Sequence, residues 1–107
     1  MSLTLEARQI FIQADLQDFL SIKNPLIVDL RTKSDFDRGH LDGARHLDFL
    51  HQNVESFFEG VDRNKSVLLY CSNGTRCKSM IRLLSAYGFV DLHFVDNGIG
   101  LWFETMS

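Results

Sequence analysis

Val67 to Tyr87 reads VLLYCSNGTRCKSMIRLLSAY, and the order of its parts decides the fold: an apolar strand, a glycine-containing loop opening on Cys71, then an amphipathic helix. Met80, Leu83, Leu84 and Tyr87 fall at i, i+3, i+4 and i+7, which predicts a helix over Arg76 to Tyr87 with Gly88 as its stop. The Asn73-Gly74 pair would suit a hairpin turn, but a helical period follows it instead of a second strand. The same order sets a thiol at a helix N-terminus. Unpaired N–H groups and the positive end of the macrodipole there favour a thiolate and attract anions.

Outward from this stretch the pattern alternates. Apolar, β-rich segments lie at Gln9 to Ile12, Leu26 to Leu30, Val67 to Cys71 and Leu92 to Val95, with a weaker fifth at Arg45 to Phe49. Between them, Asp15 to Ser21 carries Leu16, Phe19 and Leu20 at helical spacing, and Asn53 to Glu59 does the same with Val54, Phe57 and Phe58. Strands alternating with helices imply an α/β fold: a mainly parallel central sheet of about five strands, flanked by helices on both faces. In such sheets the site lies beyond the carboxyl ends of the strands, which is where Cys71 falls.

The 107 residues read as one domain, 1–107, with no repeat, linker or low-complexity tract. By the usual size scaling such a chain buries roughly 60 to 70% of its unfolded surface. A formal net charge of -3 gives no reason to expect nucleic acid or anionic lipid as a partner, so any anion site must be local. The opening MSLTLEARQI lacks a basic segment followed by an apolar run, and no membrane-length apolar stretch occurs, so a cytoplasmic protein is expected. Cys71 and Cys77 have neither redox-motif nor zinc-knuckle spacing, and both are expected to be thiols in a reducing compartment. His40, His46, His51 and His93 show no paired ligand spacing, so neither metal nor cofactor is expected. His40 is read as a side chain hydrogen-bonded to fix its turn. Asp29 and Arg31, two apart on a strand, are expected to tie the sheet to Asp35 or Asp37.

Asn73 and Gly74 tolerate positive φ, as a loop must if it is to turn consecutive N–H groups inward around an anion. Arg76 and Lys78 then sit in the helix's first turn, where the dipole disfavours a cation by about 0.3 to 1 kcal/mol. Broken local rules of this kind tend to mark functional sites, although Lys78 reads equally well as a solvated residue.

These residues resemble the single-domain rhodanese-like sulfurtransferases over nearly the whole chain. Cys71-Ser72-Asn73-Gly74-Thr75-Arg76 looks like the six-residue active-site loop of that family. Ile27-Val28-Asp29-Leu30-Arg31, Phe36 and Gly39-His40-Leu41-Asp42-Gly43-Ala44 look like its strand motif and its GHIPGA segment. Tyr87-Gly88-Phe89 and the block 97–102, NGIGLW, resemble its closing patterns. Asp42 stands where the family usually has proline, Asn97 replaces the first glycine of a pair, and Cys77 takes a position where serine or threonine is common.

The resemblance implies that Cys71 attacks the outer sulfur of thiosulfate or a persulfide donor, carries it as a persulfide, and passes it to cyanide, a small thiol or a protein thiol. Ser72, Asn73, Gly74, Thr75 and Arg76 would bind the small anionic donor, and a thioredoxin-like protein is one candidate acceptor. Cys77, Lys78 and Arg45 are candidate accessory residues. Lowering a thiol pKa from about 8.5 to about 6.5 nets only about 3- or 4-fold at neutral pH, because nucleophilicity falls as the thiolate fraction rises. Most of the acceleration must then come from loop amides and donor placement. Cys77 has two readings. It is a resolving thiol that closes a disulfide with Cys71, or a small buried residue on the helix's inner side, which is commoner. Whether C-x5-C brings the Cα atoms within the required separation of about 4.4 to 6.8 Å decides the first reading.

Two alternatives accompany this assignment. One is a noncatalytic or sulfur-relay interaction module. The other is a phosphatase or arsenate reductase, whose related loops are one residue longer than the four that separate Cys71 from Arg76.

Overall fold

The computed structural model describes residues 8–9, 12–48, 53–72 and 74–95. In chain order these form β1 (Arg8–Gln9), α1 (Ile12–Lys23), β2 (Leu26–Asp29), α2 (Lys33–Arg38), β3 (Arg45–His46), α3 (Val54–Phe57), β4 (Val67–Tyr70), α4 (Gly74–Ala86) and β5 (Leu92–Val95). The strands lie in the order β1-β5-β4-β2-β3, and every neighbouring pair is parallel. The α/β fold with a parallel sheet is therefore as expected. Its centre is made of three four-residue strands, and its edges of two-residue ones.

β4 occupies the middle, and all four of its residues are buried. A strand covered on both faces must be apolar throughout, which is why VLLY shows no alternation with polar residues. Its side chains still alternate in direction. Val67, Leu69 and, one step past the strand, Cys71 join Val28, Leu30, Phe58, Phe89 and Phe94 beneath Cys77, Met80, Ile81 and Leu84 of α4. Leu68 and Tyr70 join Ile27, Leu41, Val95 and Leu16 of α1. Helices thus cover both faces, α1 on one side and α4 on the other. The register sets Tyr70 opposite Asp29 and Val95, so the carboxyl ends of the three central strands finish level.

Three elements differ from expectation. The first strand is Arg8–Gln9, and Ile12, read as strand, opens α1 instead. A short apolar run of this kind suits a strand and the start of a helix alike. α2 has no buried residue and so carries no apolar stripe to read. It is held by the Thr32 hydroxyl, which accepts from Asp35 N at 3.2 Å, and by ion pairs of Lys33 with Asp37 and Arg38 with Asp35. α4 begins at Gly74, ahead of the expected Arg76. Its end is as the sequence predicts: Gly88 takes φ 98, Phe89 N donates to Leu84 O at 3.0 Å and Gly88 N to Ser85 O at 3.0 Å. Ile10, Phe49, His51, Asn73 and the block 97–102 lie outside the described residues.

Candidate active site

Cys71 directly follows the central strand, at the carboxyl end of the sheet where the sequence placed it. Its orientation is less expected. Cys71 is fully buried, and its Sγ lies 2.9 Å from Sγ of Cys77, which is also fully buried. The two-residue period of the strand accounts for this, because Cys71 shares the face of Val67 and Leu69 that α4 covers. Cys77 Sγ further donates to the Val95 carbonyl at 3.9 Å. Both are thiols rather than a disulfide. Cys77 is therefore the buried inner-face residue of one reading, and its sulfur touches that of Cys71.

The six-residue loop is shorter in space than in sequence. Gly74, Thr75 and Arg76 belong to the first turn of α4, so only Cys71 to Asn73 separate strand from helix. A helix's first-turn amides find no carbonyl within the helix, and any anion held here would meet that turn and the positive end of the dipole. Ser72 is exposed. Arg76 is half-buried, and one of its guanidinium nitrogens donates to the Leu30 carbonyl at 3.1 Å, lacing the start of α4 to the end of β2. Lys78 is exposed on α4. Arg45 is exposed too, with its guanidinium 4.4 Å from the ring centre of Phe57, so it braces β3 against α3.

Beside the thiols, on the opposite face of the sheet, lies a buried polar cluster. Asp29 and Arg31 hydrogen-bond to each other, and the expected tie to Asp35 takes the form of a charge interaction with Arg31. Asp29 accepts from Arg31 N at 2.8 Å, from Nε at 3.1 Å and from Nη2 at 2.8 Å. Two residues along an extended chain return to the same side, and an arginine is long enough to fold back on such a neighbour. Arg31 Nη2 also donates to the Gly39 carbonyl at 2.5 Å. Burial opposes the Arg31 charge, but the Asp29 carboxylate outweighs it and leaves the guanidinium pKa raised.

The Tyr70 hydroxyl accepts from Leu41 N at 3.0 Å. Burial, reinforced by the Asp29 charge, drives its pKa far up, so it stays a neutral phenol. Together Arg31 and Tyr70 hold both ends of Gly39-His40-Leu41 at the carboxyl edge of the sheet. His40 fixes its turn as expected: Nδ1 meets the Phe36 carbonyl at 2.7 Å, and the ring stacks on Phe36 at 3.7 Å between centres. His46 Nε2 meets the Arg31 carbonyl at 2.7 Å. Sequence reasoning missed Tyr70 as a positioning residue, although a lone hydroxyl at the end of an otherwise aliphatic strand was a visible signal.

Among the described residues no group of three or more His, Cys, Asp or Glu could hold a metal ion, and no helix is long and apolar enough to cross a membrane.

Comparison with known proteins agrees with this geometry. The thiosulfate sulfurtransferase GlpE of Pseudomonas putida strain GB-1 is 36% identical over 80 residues, covering 75% of this chain and 71% of that one. The protein of the same name from Shewanella oneidensis is 30% identical over 82 residues, covering 77% and 79%. Among solved structures, a rhodanese-like domain protein from Staphylococcus aureus superimposes with a TM-score of 0.65 at 25% identity, covering 90% of this chain and 89% of that one. A Rhodanese_3 like domain from Anabaena sp. gives 0.64 at 20% identity, covering 76% and 92%. The model of the Rhodanese-like domain family matches residues 13–105, and with the sheet order and the strand–cysteine–helix junction this settles the assignment: the chain belongs to the rhodanese-like domain family and is an enzyme of the sulfurtransferase kind.

Proposed function

We propose that this protein moves a sulfane sulfur from thiosulfate or a persulfide donor, through a Cys71 persulfide, to a thiophilic acceptor such as cyanide, a small thiol or a thioredoxin-like protein thiol. The observation that carries the reading is the junction itself: Cys71 directly follows the central strand, and Arg76, with four residues between them, lies in the first turn of α4. A thiolate there attacks the outer sulfur of the donor, and sulfite leaves from thiosulfate. Ser72, Asn73, Gly74, Thr75 and Arg76 receive the anionic donor, with the first-turn amides and the guanidinium countering its charge. Because Cys71 is fully buried against Cys77, attack requires its Sγ to turn from Cys77 toward that first turn. The donor and acceptor are cytoplasmic, and neither nucleic acid nor membrane takes part.

The spacing between Cys71 and Arg76 supports sulfur over phosphate, since a shorter loop leaves less room for a tetrahedral phosphate above the thiolate. The burial of Cys71 gives one observation in favour of a second reading, a sulfur relay that opens only to a protein donor. Intact mass after exposure of the reduced protein to thiosulfate separates the two. Uptake of sulfur from thiosulfate, lost in Cys71→Ser, supports the enzyme. No uptake from thiosulfate, with transfer from a persulfidated protein, supports the relay. Phosphate monoester hydrolysis abolished by Cys71→Ser would reject both.

A further inference from the structure

The unusual feature of the site is that Cys71 already touches a second thiol. A sulfur–sulfur approach of 2.9 Å has to close by less than about 1 Å to reach the bonded length of about 2.05 Å. Cys77 lies on the core side of Cys71, and its own position is fixed by α4 and by the Val95 carbonyl. No atom fits between two sulfurs at that distance. Once Cys71 Sγ has returned to that contact, the outer sulfur of a persulfide therefore lies on another side of Sγ and leaves the side facing Cys77 open to attack.

From this contact we infer that Cys77 is a catalytic residue of the second half-reaction, attacking Sγ of the Cys71 persulfide and expelling the transferred sulfur as hydrosulfide. The inference rests on the persulfide reading proposed above. The Cys77 Sγ–Cys71 Sγ bond forms and the bond from Cys71 Sγ to the outer sulfur breaks. The outer sulfur leaves with the electron pair as HS⁻ and takes the Cys77 proton to become hydrogen sulfide. Two thiol sulfurs are oxidised to a disulfide, and one sulfane sulfur is reduced to sulfide. The departing anion leaves toward the first turn of α4, where the helix dipole and Arg76 favour negative charge. A dithiol, small or protein-borne, then reduces the Cys71–Cys77 disulfide and restores the enzyme.

The step has an advantage over any external acceptor. Well-oriented intramolecular partners act as though present at about 10⁵ M or more, above any concentration an external thiol can reach. Thiosulfate without a dithiol thus yields a single turnover that ends in the disulfide.

The test mixes anaerobic, fully reduced protein with thiosulfate and no added thiol. Sulfite and sulfide are then quantified, and intact mass is taken after alkylation in denaturant. Wild type is expected to release one sulfite and one sulfide per chain and to end two hydrogens lighter, with no alkylated cysteine. Cys77→Ala is expected to release sulfite, retain the added sulfur on Cys71, and give at least about tenfold less sulfide. Cys77→Ser repeats the comparison with a side chain closer in size to the native thiol. Wild type that keeps the added sulfur, with sulfide equally low in wild type and variants, would overturn the role of Cys77 and leave the persulfide intact. Sulfite released by neither wild type nor variant would remove thiosulfate as the donor, and the assay is then run with a persulfidated protein. Transfer to Cys71 with sulfide equally low in wild type and variants would there overturn the inference, and no transfer to Cys71 would remove the persulfide reading with it.

Discussion

Replacing Asp29 by alanine removes the partner of a buried arginine, and the cost is predictable from the surroundings. Asp29 is 0% exposed and Arg31 8%, and the pair shares hydrogen bonds of 2.8 to 3.1 Å. Without the carboxylate the guanidinium stays in low dielectric with its charge uncompensated, an arrangement that costs about 3 to 5 kcal/mol. A domain of this size holds about 5 to 15 kcal/mol in total, so Asp29→Ala removes about a fifth or more of its stability. At about 4 °C or more per kcal/mol, the midpoint of thermal unfolding falls by at least about 12 °C. Arg31→Met strands the carboxylate and costs a similar amount. The double variant carries no buried charge at all, so it is expected to cost no more than either single change, giving a coupling of about 3 kcal/mol or more. Urea unfolding of the four proteins, with the slope m checked for constancy, measures each corner of the cycle. Single costs that simply add in the double variant, or an Asp29→Ala cost below about 1 kcal/mol, would refute the argument that the pair compensates a buried charge.

Gly88→Ala is expected to cost about 1 to 2 kcal/mol, and Gly88→Asn less. The penalty comes from φ 98 rather than from crowding, since the added Cβ would meet only Arg63 side-chain carbons at 3.8 and 3.9 Å; equal costs for alanine and asparagine in urea unfolding would contradict this. Arg76→Ala is expected to raise KM for thiosulfate more than it lowers kcat, and to lose about 0.5 to 1.5 kcal/mol with the Leu30 carbonyl bond. Steady-state kinetics showing only a kcat effect would remove Arg76 from donor binding. In acid, Asp35 is held below the usual carboxylate range by its hydrogen bond to Arg38. Burial would raise Asp91, but the bonds from Ser66 and His93 outweigh it and leave it lowered too. Both folded pKa values lie below the unfolded value of about 3.9, so this stability is complete above that pH and is lost as pH falls through the folded pKa. Asp91→Asn should flatten the fall of the urea midpoint below about pH 4, and an unchanged slope would deny Asp91 that role.

The central fold was readable because its signals are local and strong. VLLY, the i, i+3, i+4, i+7 stripe of α4 and the glycine after it needed no tertiary context. α2 escaped because it buries nothing, and a helix made of a cap and surface ion pairs writes no hydrophobic period. The start of α1 is not legible because a short apolar run serves strand and helix equally well. At the site, chain order located Cys71, and the family pattern pointed to the loop. What spacing could not give was direction. Whether Cys71 faces the loop or the core, and whether Cys77 reaches it, depends on which face of β4 the residue after Tyr70 joins and on how closely α4 approaches. The same holds for Arg31, whose hydrogen bonds to Asp29 and to the Gly39 carbonyl follow from side-chain length and direction, which spacing does not give.

The alternation at the end of β4 reaches beyond packing. Tyr70 and Cys71 are adjacent in the chain, yet one enters the ionic cluster and the other the pair of sulfurs, on opposite sides of a single sheet. Deleting or inserting one residue within Val67–Tyr70 would exchange them, driving a phenol among aliphatic side chains and a thiol against a carboxylate. A change of length is consequently expected to be tolerated in the connections between elements, while the run from Val67 to Cys71 can change in letters but not in number.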